Sequence, residues 1–196
     1  MKILKELFQE RYCKDCEYKN TEFYSRNKKD KNKEQLRKFD RLVESLEKIS
    51  NYNEHILYFN KDATENELLF ITIKEKFDFT GRVTYLTFTG HTYRNIYGGE
   101  RLKPYMCVEA YLDNDNQYLK YFKIVDIRCE PNKGYGSLIM SHFIEYAKSM
   151  RVLYISGFLS FVDTADEEHN QRLRHFYSKF GFTIDDKDNI KLQLTK

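Results

Sequence analysis

The chain has 196 residues, with 16 Tyr, 15 Phe and no Trp, so large rings must supply core area that its modest aliphatic content does not. Its 33 basic and 30 acidic side chains leave a net charge of +3, a balance that argues against nucleic-acid binding as the main task, since a dedicated binder carries a clearly basic surface. No stretch approaches the roughly 20 apolar residues of a membrane-crossing helix, and the opening Met1-Lys2-Ile3-Leu4-Lys5-Glu6 lacks the apolar run of a secretory signal; the expectation is a cytoplasmic protein with no membrane contact.

Residues 1–50 read as a charged, helical N-terminal segment, and 51–196 as the main domain. The Cys13-Lys14-Asp15-Cys16 spacing can belong to half a zinc site or a redox pair. No second close Cys/His pair follows to complete four zinc ligands, and no βαβ setting surrounds it, so it reads as two thiols, with no metal expected. Residues 27–33 form a solvated charge run. Leu36, Phe39, Leu42, Val43, Leu46 and Ile49 then recur at three and four residues, one face of a helix that packs on a core or against a second copy in a homodimer.

Residues 51–67 read as a connection containing one apolar piece, Ile56-Leu57-Tyr58-Phe59. Strands are expected at 68–73, 82–89, 105–112 and 118–129, with 92–103 a loop around Gly98-Gly99 and a turn cluster at 113–116. Cys107 and Cys129 fall in these strands, where a free thiol acts as a small buried apolar group.

The chain then changes character. Pro131-Asn132-Lys133-Gly134-Tyr135-Gly136-Ser137 separates the strand at 118–129 from a helical stripe of Ile139, Phe143, Tyr146, Ala147 and Met150. Two glycines one residue apart let the backbone turn sharply, and a helix N-terminus directs free N–H groups and a positive dipole end at whatever lies there. With Lys133 beside it, the turn is a candidate phosphate cradle. A strand at 152–160 follows, then acidic residues Asp163, Asp166, Glu167 and Glu168 suited to a helix start or to attracting a cationic amine. Leu173, Phe176, Tyr177 and Phe180 form the next apolar stripe, Gly181 stops it, and strands at 182–184 and 190–194 close the chain. The order implies a mixed α/β (α+β) fold with a central, mostly antiparallel sheet flanked by helices.

That order, with these two motifs, resembles the GNAT superfamily of acyl-CoA-dependent N-acetyltransferases. The resemblance covers about residues 68–196 and is specific from Tyr118 onward. Gly134 and Gly136 match the family's pyrophosphate loop, while Pro131 stands at its usual Arg/Gln position and Asn132 and Lys133 follow. Asn170-Gln171-Arg172-Leu173-Arg174-His175-Phe176-Tyr177-Ser178-Lys179-Phe180-Gly181-Phe182 resembles the family pattern of Asn, six residues, Tyr, three residues, Gly-Phe.

The resemblance implies acetyl-CoA as co-substrate and a primary amine, on a small molecule or a protein, as acceptor. It further implies that the strand before the loop, through Val125 and Ile127, and the loop itself at Asn132, Lys133, Gly134, Tyr135, Gly136 and Ser137 bind the cofactor, with Asn170 and Tyr177 facing the pantetheine arm. Tyr177 is the candidate acid for the leaving thiolate, since a phenol's pKa near ~10 exceeds a thiol's ~8.5. Asp126, which shares a strand face with Arg128, is the first candidate base, and Glu130 the second. A GNAT-like acyl-CoA-binding regulatory or interaction module without turnover is the alternative from a different class.

Overall fold

The structure is a computed structural model, and it describes Arg37, Glu44 and residues 54–60, 63–64, 67–97, 103–113, 118–160 and 166–194. The charge run at 27–33, the Cys13/Cys16 pair, Asp163 and, apart from Arg37 and Glu44, the helix expected at 36–49 lie outside these residues. The chain divides into units 1–43 and 44–196, and the architecture below is that of the second.

Eight strands form one sheet in the order β1-β2-β3-β4-β5-β6-β8-β7. In chain order they are β1 (Glu54–Phe59), β2 (Leu68–Phe77), β3 (Val83–Thr92), β4 (Tyr105–Leu112), β5 (Leu119–Arg128), β6 (Tyr154–Phe158), β7 (Thr183–Ile184) and β8 (Asn189–Gln193). Helix α1 (Tyr93–Tyr97) follows β3, α2 (Tyr135–Ser149) joins β5 to β6, and α3 (Glu167–Lys179) joins β6 to β7. All pairings are antiparallel except β5 with β6. The expected mixed α/β architecture with a mostly antiparallel sheet is therefore the observed one.

Two local expectations are corrected. The apolar piece at 56–59 is not part of a connection but most of β1, an edge strand paired with β2. The region 92–103 is not all loop, because it opens with α1. Thr92 and Asn95 cap that turn reciprocally: the Asn95 N–H donates to Thr92 Oγ1 at 3.2 Å, and the Thr92 N–H to Asn95 Oδ1 at 3.1 Å. Such a Thr-x-x-Asn exchange satisfies orphan helix donors as a capping box does, and it is invisible to a reading based on apolar period.

One sheet face carries the core. Leu86 and Phe88 of β3, Met106 and Val108 of β4, and Phe122 and Ile124 of β5 are buried by period two. Helix α2 lies on them with Ile139, Met140, Phe143 and Ala147 inward, and Phe143 meets Phe88 and Phe122 with ring centroids 5.3 and 5.8 Å apart. Such aromatic pairs add about 0.5–1.5 kcal/mol each beyond area burial. Tyr177 and Phe182 join the same cluster. Cys107 and Cys129, expected to be buried, are half-buried: Cys107 lies on the face away from α2, and Cys129 just past the end of β5.

That opposite face is polar and aromatic. Tyr85, Tyr105, Cys107, Glu109, Tyr111, Tyr121, Lys123 and Tyr154 occupy the alternate positions and are all half-buried. Tyr111, Tyr121 and Tyr154 stack across three strands with successive centroids 4.7 Å apart, and the Lys191 ammonium sits 4.4 Å from the Tyr154 ring.

Candidate active site

The site is built where β5 and β6 part. They pair only through Tyr121–Tyr154, Phe122–Ile155 and Lys123–Ser156. Beyond that, β6 continues to pair with β8 and β5 with β4, so a gap opens between them. Gly157 stands at its apex: a Cβ there would come within 2.9 Å of Ile190 Cδ1 and 3.4 Å of Ile124 Cβ. A side chain at this position would have to displace the Ile190 side chain of β8 and would crowd Ile124 of β5.

On β5 the ladder with β4 jumps just past the gap's apex. Cys107 faces Asp126 while the next residue, Val108, faces Ile124. Val125 is thus the extra residue of a β-bulge, left without a ladder partner, and its side chain is half exposed. The bulge also resets the side-chain phase. Phe122 and Ile124 face α2; unbroken alternation through Val125 would bring Asp126 to the core face as well, whereas with Val125 bulged out Asp126 and Arg128 emerge on the tyrosine face while Ile127 packs against the core.

Asp126 is then held by its neighbours. Tyr105 donates its hydroxyl to Asp126 Oδ2 at 2.8 Å, and Arg128 Nε lies 3.4 Å from the same oxygen. The hydrogen bond to the carboxylate pushes the Tyr105 phenol pKa upward, because losing that proton would set two anions together. Tyr85 is pushed up to about 12, first by its hydrogen bond with Cys107 and then by burial. Phenols, a thiol and a carboxylate thus sit side by side on β3, β4 and β5 at the bulge.

At the C-terminal end of β5, Asn132 (φ 60°) and Gly134 (φ 76°) are left-handed on either side of Lys133. Alternating handedness aims successive N–H groups to one side, the concavity that binds anions in phosphate loops. Gly134 is the N-cap of α2 and makes no side-chain cap, so the first amides of the helix have no intrahelical acceptor. Lys133 pairs with Glu130 at 3.8 Å, and Ser137 Oγ lies 3.4 Å from Lys179 Nζ of α3. Tyr135 is buried in the core, so only its backbone can serve a ligand. Gly136 needs no special conformation; its α-carbon faces Cys129 and Phe176, each 3.5 Å from where a Cβ would stand. Through Phe176, α3 meets the start of α2 there at ordinary van der Waals distance. Burial raises the Cys129 thiol to about 12, which leaves it a packing group.

Helix α3 begins with Asp166, whose carboxylate accepts from the N–H groups of Glu168 and His169. Of the acidic residues expected at this end, Asp166 is therefore the cap, and Glu167 and Glu168 hold Gln171 and Arg172 one turn on. Asn170 Oδ1 accepts from Arg174 Nε at 2.9 Å, and Arg174 also bonds Asp188 of the β7–β8 turn. Two turns from Asn170, Tyr177 is 4% exposed, its ring edge-on to Phe176 and Phe182 at 5.2 and 5.4 Å. Gly181 (φ 84°) ends the helix, with the Phe182 N–H returning to the Tyr177 carbonyl at 3.2 Å.

The structure thus brings Val125, Asp126 and Ile127 to the gap, and Asn132, Lys133, Gly134 and Ser137 to one turn beyond it. Glu130 sits with the turn, not with the bulge. The sequence reading passed over the bulge, Gly157 and the tyrosine face. The first was signalled in β5, where the apolar alternation of Phe122 and Ile124 is broken by the adjacent Val125 before resuming at Ile127.

No protein-family model matches the sequence, and no curated protein does. Solved structures do match. A GNAT-family protein from Desulfovibrio desulfuricans is 12% identical over 57% of this chain and 70% of its own, with a TM-score of 0.42. The N-acetyltransferase PseH of Campylobacter jejuni is 18% identical over 57% and 70%, with a TM-score of 0.37. A GNAT-family acetyltransferase from Streptococcus pneumoniae is 16% identical over 57% and 68%, with a TM-score of 0.39. These are partial likenesses of fold, and the functional reading rests on the geometry above.

Proposed function

We propose that the chain is an acetyl-CoA-dependent N-acetyltransferase acting on a primary amine. The observation that carries this is the conjunction on one strand, β5, of a bulge at the mouth of a parallel-strand gap and a left-handed anion turn at the strand's end. A thioester carrying a pyrophosphate needs both: an extended slot for its amide-rich arm and a cluster of backbone donors for its charge.

The amine lone pair attacks the thioester carbonyl carbon, a C–N bond forms, and the C–S bond breaks as the tetrahedral intermediate collapses. Backbone N–H at Val125, released from the ladder by the bulge, stabilises the developing oxyanion. Asp126, hydrogen-bonded to Tyr105, takes the amine proton directly or through water. Tyr177 returns a proton to the departing sulfur, and Asn170 orients the pantetheine arm. Asn132, Lys133, Gly134 and Ser137, with the first amides of α2, bind the pyrophosphate. Glu130, paired with Lys133 at the turn, is the second candidate for the base. Most of the rate enhancement comes from holding thioester and amine together.

An amine panel with acetyl-CoA, read by release of free thiol, tests the proposal. Amine-dependent release that is lost in Asp126→Ala supports it. Tight acetyl-CoA binding with no transfer to any amine in the panel favours a binding module instead.

A further inference from the structure

On the tyrosine face, against the gap, lies a cleft of about 750 Å³ lined by residues of β4 to β8 and the β7–β8 turn. Across its floor runs one row in ladder register: Lys123 of β5, Ser156 of β6 and Lys191 of β8. Adjacent strands lie about 4.8 Å apart, so the two lysine stems flank the Ser156 hydroxyl from either side. Among the described residues neither ammonium has a carboxylate within ion-pair distance. Two carboxylates near the row keep their charge and are oriented by other hydrogen bonds. Glu109, opposite Lys123, accepts the Tyr111 hydroxyl at 2.8 Å. Asp185, in the cleft wall, accepts from the N–H groups of Lys187 and Asn189 and from the Asn189 amide. Lys191 rests on the Tyr154 ring, which positions its charge without neutralising it.

Two unpaired cations astride a hydroxyl donor make a receptor for an anion. The row also has a fixed relation to the bulge. Ser156 and Lys123 are the last β6–β5 pair, and Val125 lies two residues further along β5, about 6.6 Å at strand rise. A group bound over Ser156 is therefore a few bonds from an amine placed at Val125 and Asp126.

From this we infer the acceptor's class, resting on the transferase reading above: a small amine that also carries an anionic group, carboxylate or phosphate, held between Lys123 and Lys191. Of the acidic residues that as sequence suited a helix start or a cationic amine, Asp166 caps α3 and Glu167 and Glu168 bond Gln171 and Arg172 of the same helix.

Matched probes separate the sources. Glycine against glycinamide forms the carboxylate arm, and O-phosphoethanolamine against ethanolamine the phosphate arm, each assayed with saturating acetyl-CoA. The anionic member of one arm is expected to be preferred about 10-fold or more in kcat/KM. In Lys123→Met and Lys191→Met that ratio should fall toward one through KM, with acetyl-CoA affinity unchanged. Equal or better use of the neutral members, or an anion preference that survives both substitutions, overturns the inference. Acetate and inorganic phosphate titrated without acetyl-CoA, read by thermal shift, keep it separable from the transferase reading. Protection of the wild type that Lys191→Met abolishes upholds the anion site even if no transfer is found, and absence of protection in that case removes it.

Discussion

His91 offers a quantitative test of the packing that holds the sheet. Its side chain is 3% exposed, stacks on Phe70 at 4.3 Å and shares a 3.1 Å hydrogen bond with Thr72 Oγ1. Burial, aided by the positive charge of Lys103, lowers its pKa from 6.5 to about 3. The folded chain therefore keeps this ring neutral while the unfolded chain protonates it below pH 6.5. Between those values the unfolded state binds more protons, so stability is full above pH 6.5 and falls as the pH drops toward 3. At about 1.4 kcal/mol per unit the loss at pH 5 is about 2 kcal/mol, and over the whole window about 5 kcal/mol.

His91→Phe keeps a ring against Phe70 but strands the Thr72 hydroxyl, costing about 1–3 kcal/mol. Urea unfolding at pH 7.5 and pH 5 should show the wild type ahead at the higher pH and the two curves converging or crossing near pH 5. Parallel pH dependence in the two proteins would show that His91 is not the titrating group and refute the reasoning.

Gly134→Ala should cost about 1–2 kcal/mol, the strain of a left-handed Cβ alone, because nothing lies within 4 Å to clash, and should weaken acetyl-CoA binding by disturbing the left-handed turn. Gly136→Ala meets only ordinary contacts and should leave the melting temperature nearly unchanged. Asp126→Asn and Tyr177→Phe should each lower kcat by about 100-fold at unchanged acetyl-CoA affinity by calorimetry, and loss of affinity instead would assign them to binding. Deleting Val125 should leave the fold intact, because Ile124 and Asp126 then face Val108 and Cys107 as consecutive residues of a regular ladder and keep their faces, but should lower kcat by about 100-fold through loss of the unladdered N–H; an unchanged kcat would mean the bulge is incidental.

The elements that define the fold could be read from the sequence wherever apolar period and punctuation agreed. Ile139, Phe143 and Ala147 announce α2, and Gly181 ends α3. The glycine turn was legible as local structure, since Gly134 takes the positive φ that glycine permits, and so was the helix that carries Asn170 and Tyr177 two turns apart. Three features were not. The strand β1 has half its residues exposed, so its pairing with β2, rather than its own hydrophobicity, makes it a strand. The capped turn of α1 depends on the Thr92–Asn95 exchange and not on periodicity. The cation row of Lys123 and Lys191 joins residues far apart in the chain, and only the register of β5, β6 and β8 brings them to one cleft.

Titration of acetyl-CoA against the intact chain, by calorimetry with a parallel thermal melt, tests the central claim most directly. Saturable binding with a raised melting temperature, weakened in Gly134→Ala, is the expected result. No heat and no thermal shift at millimolar acetyl-CoA would contradict it.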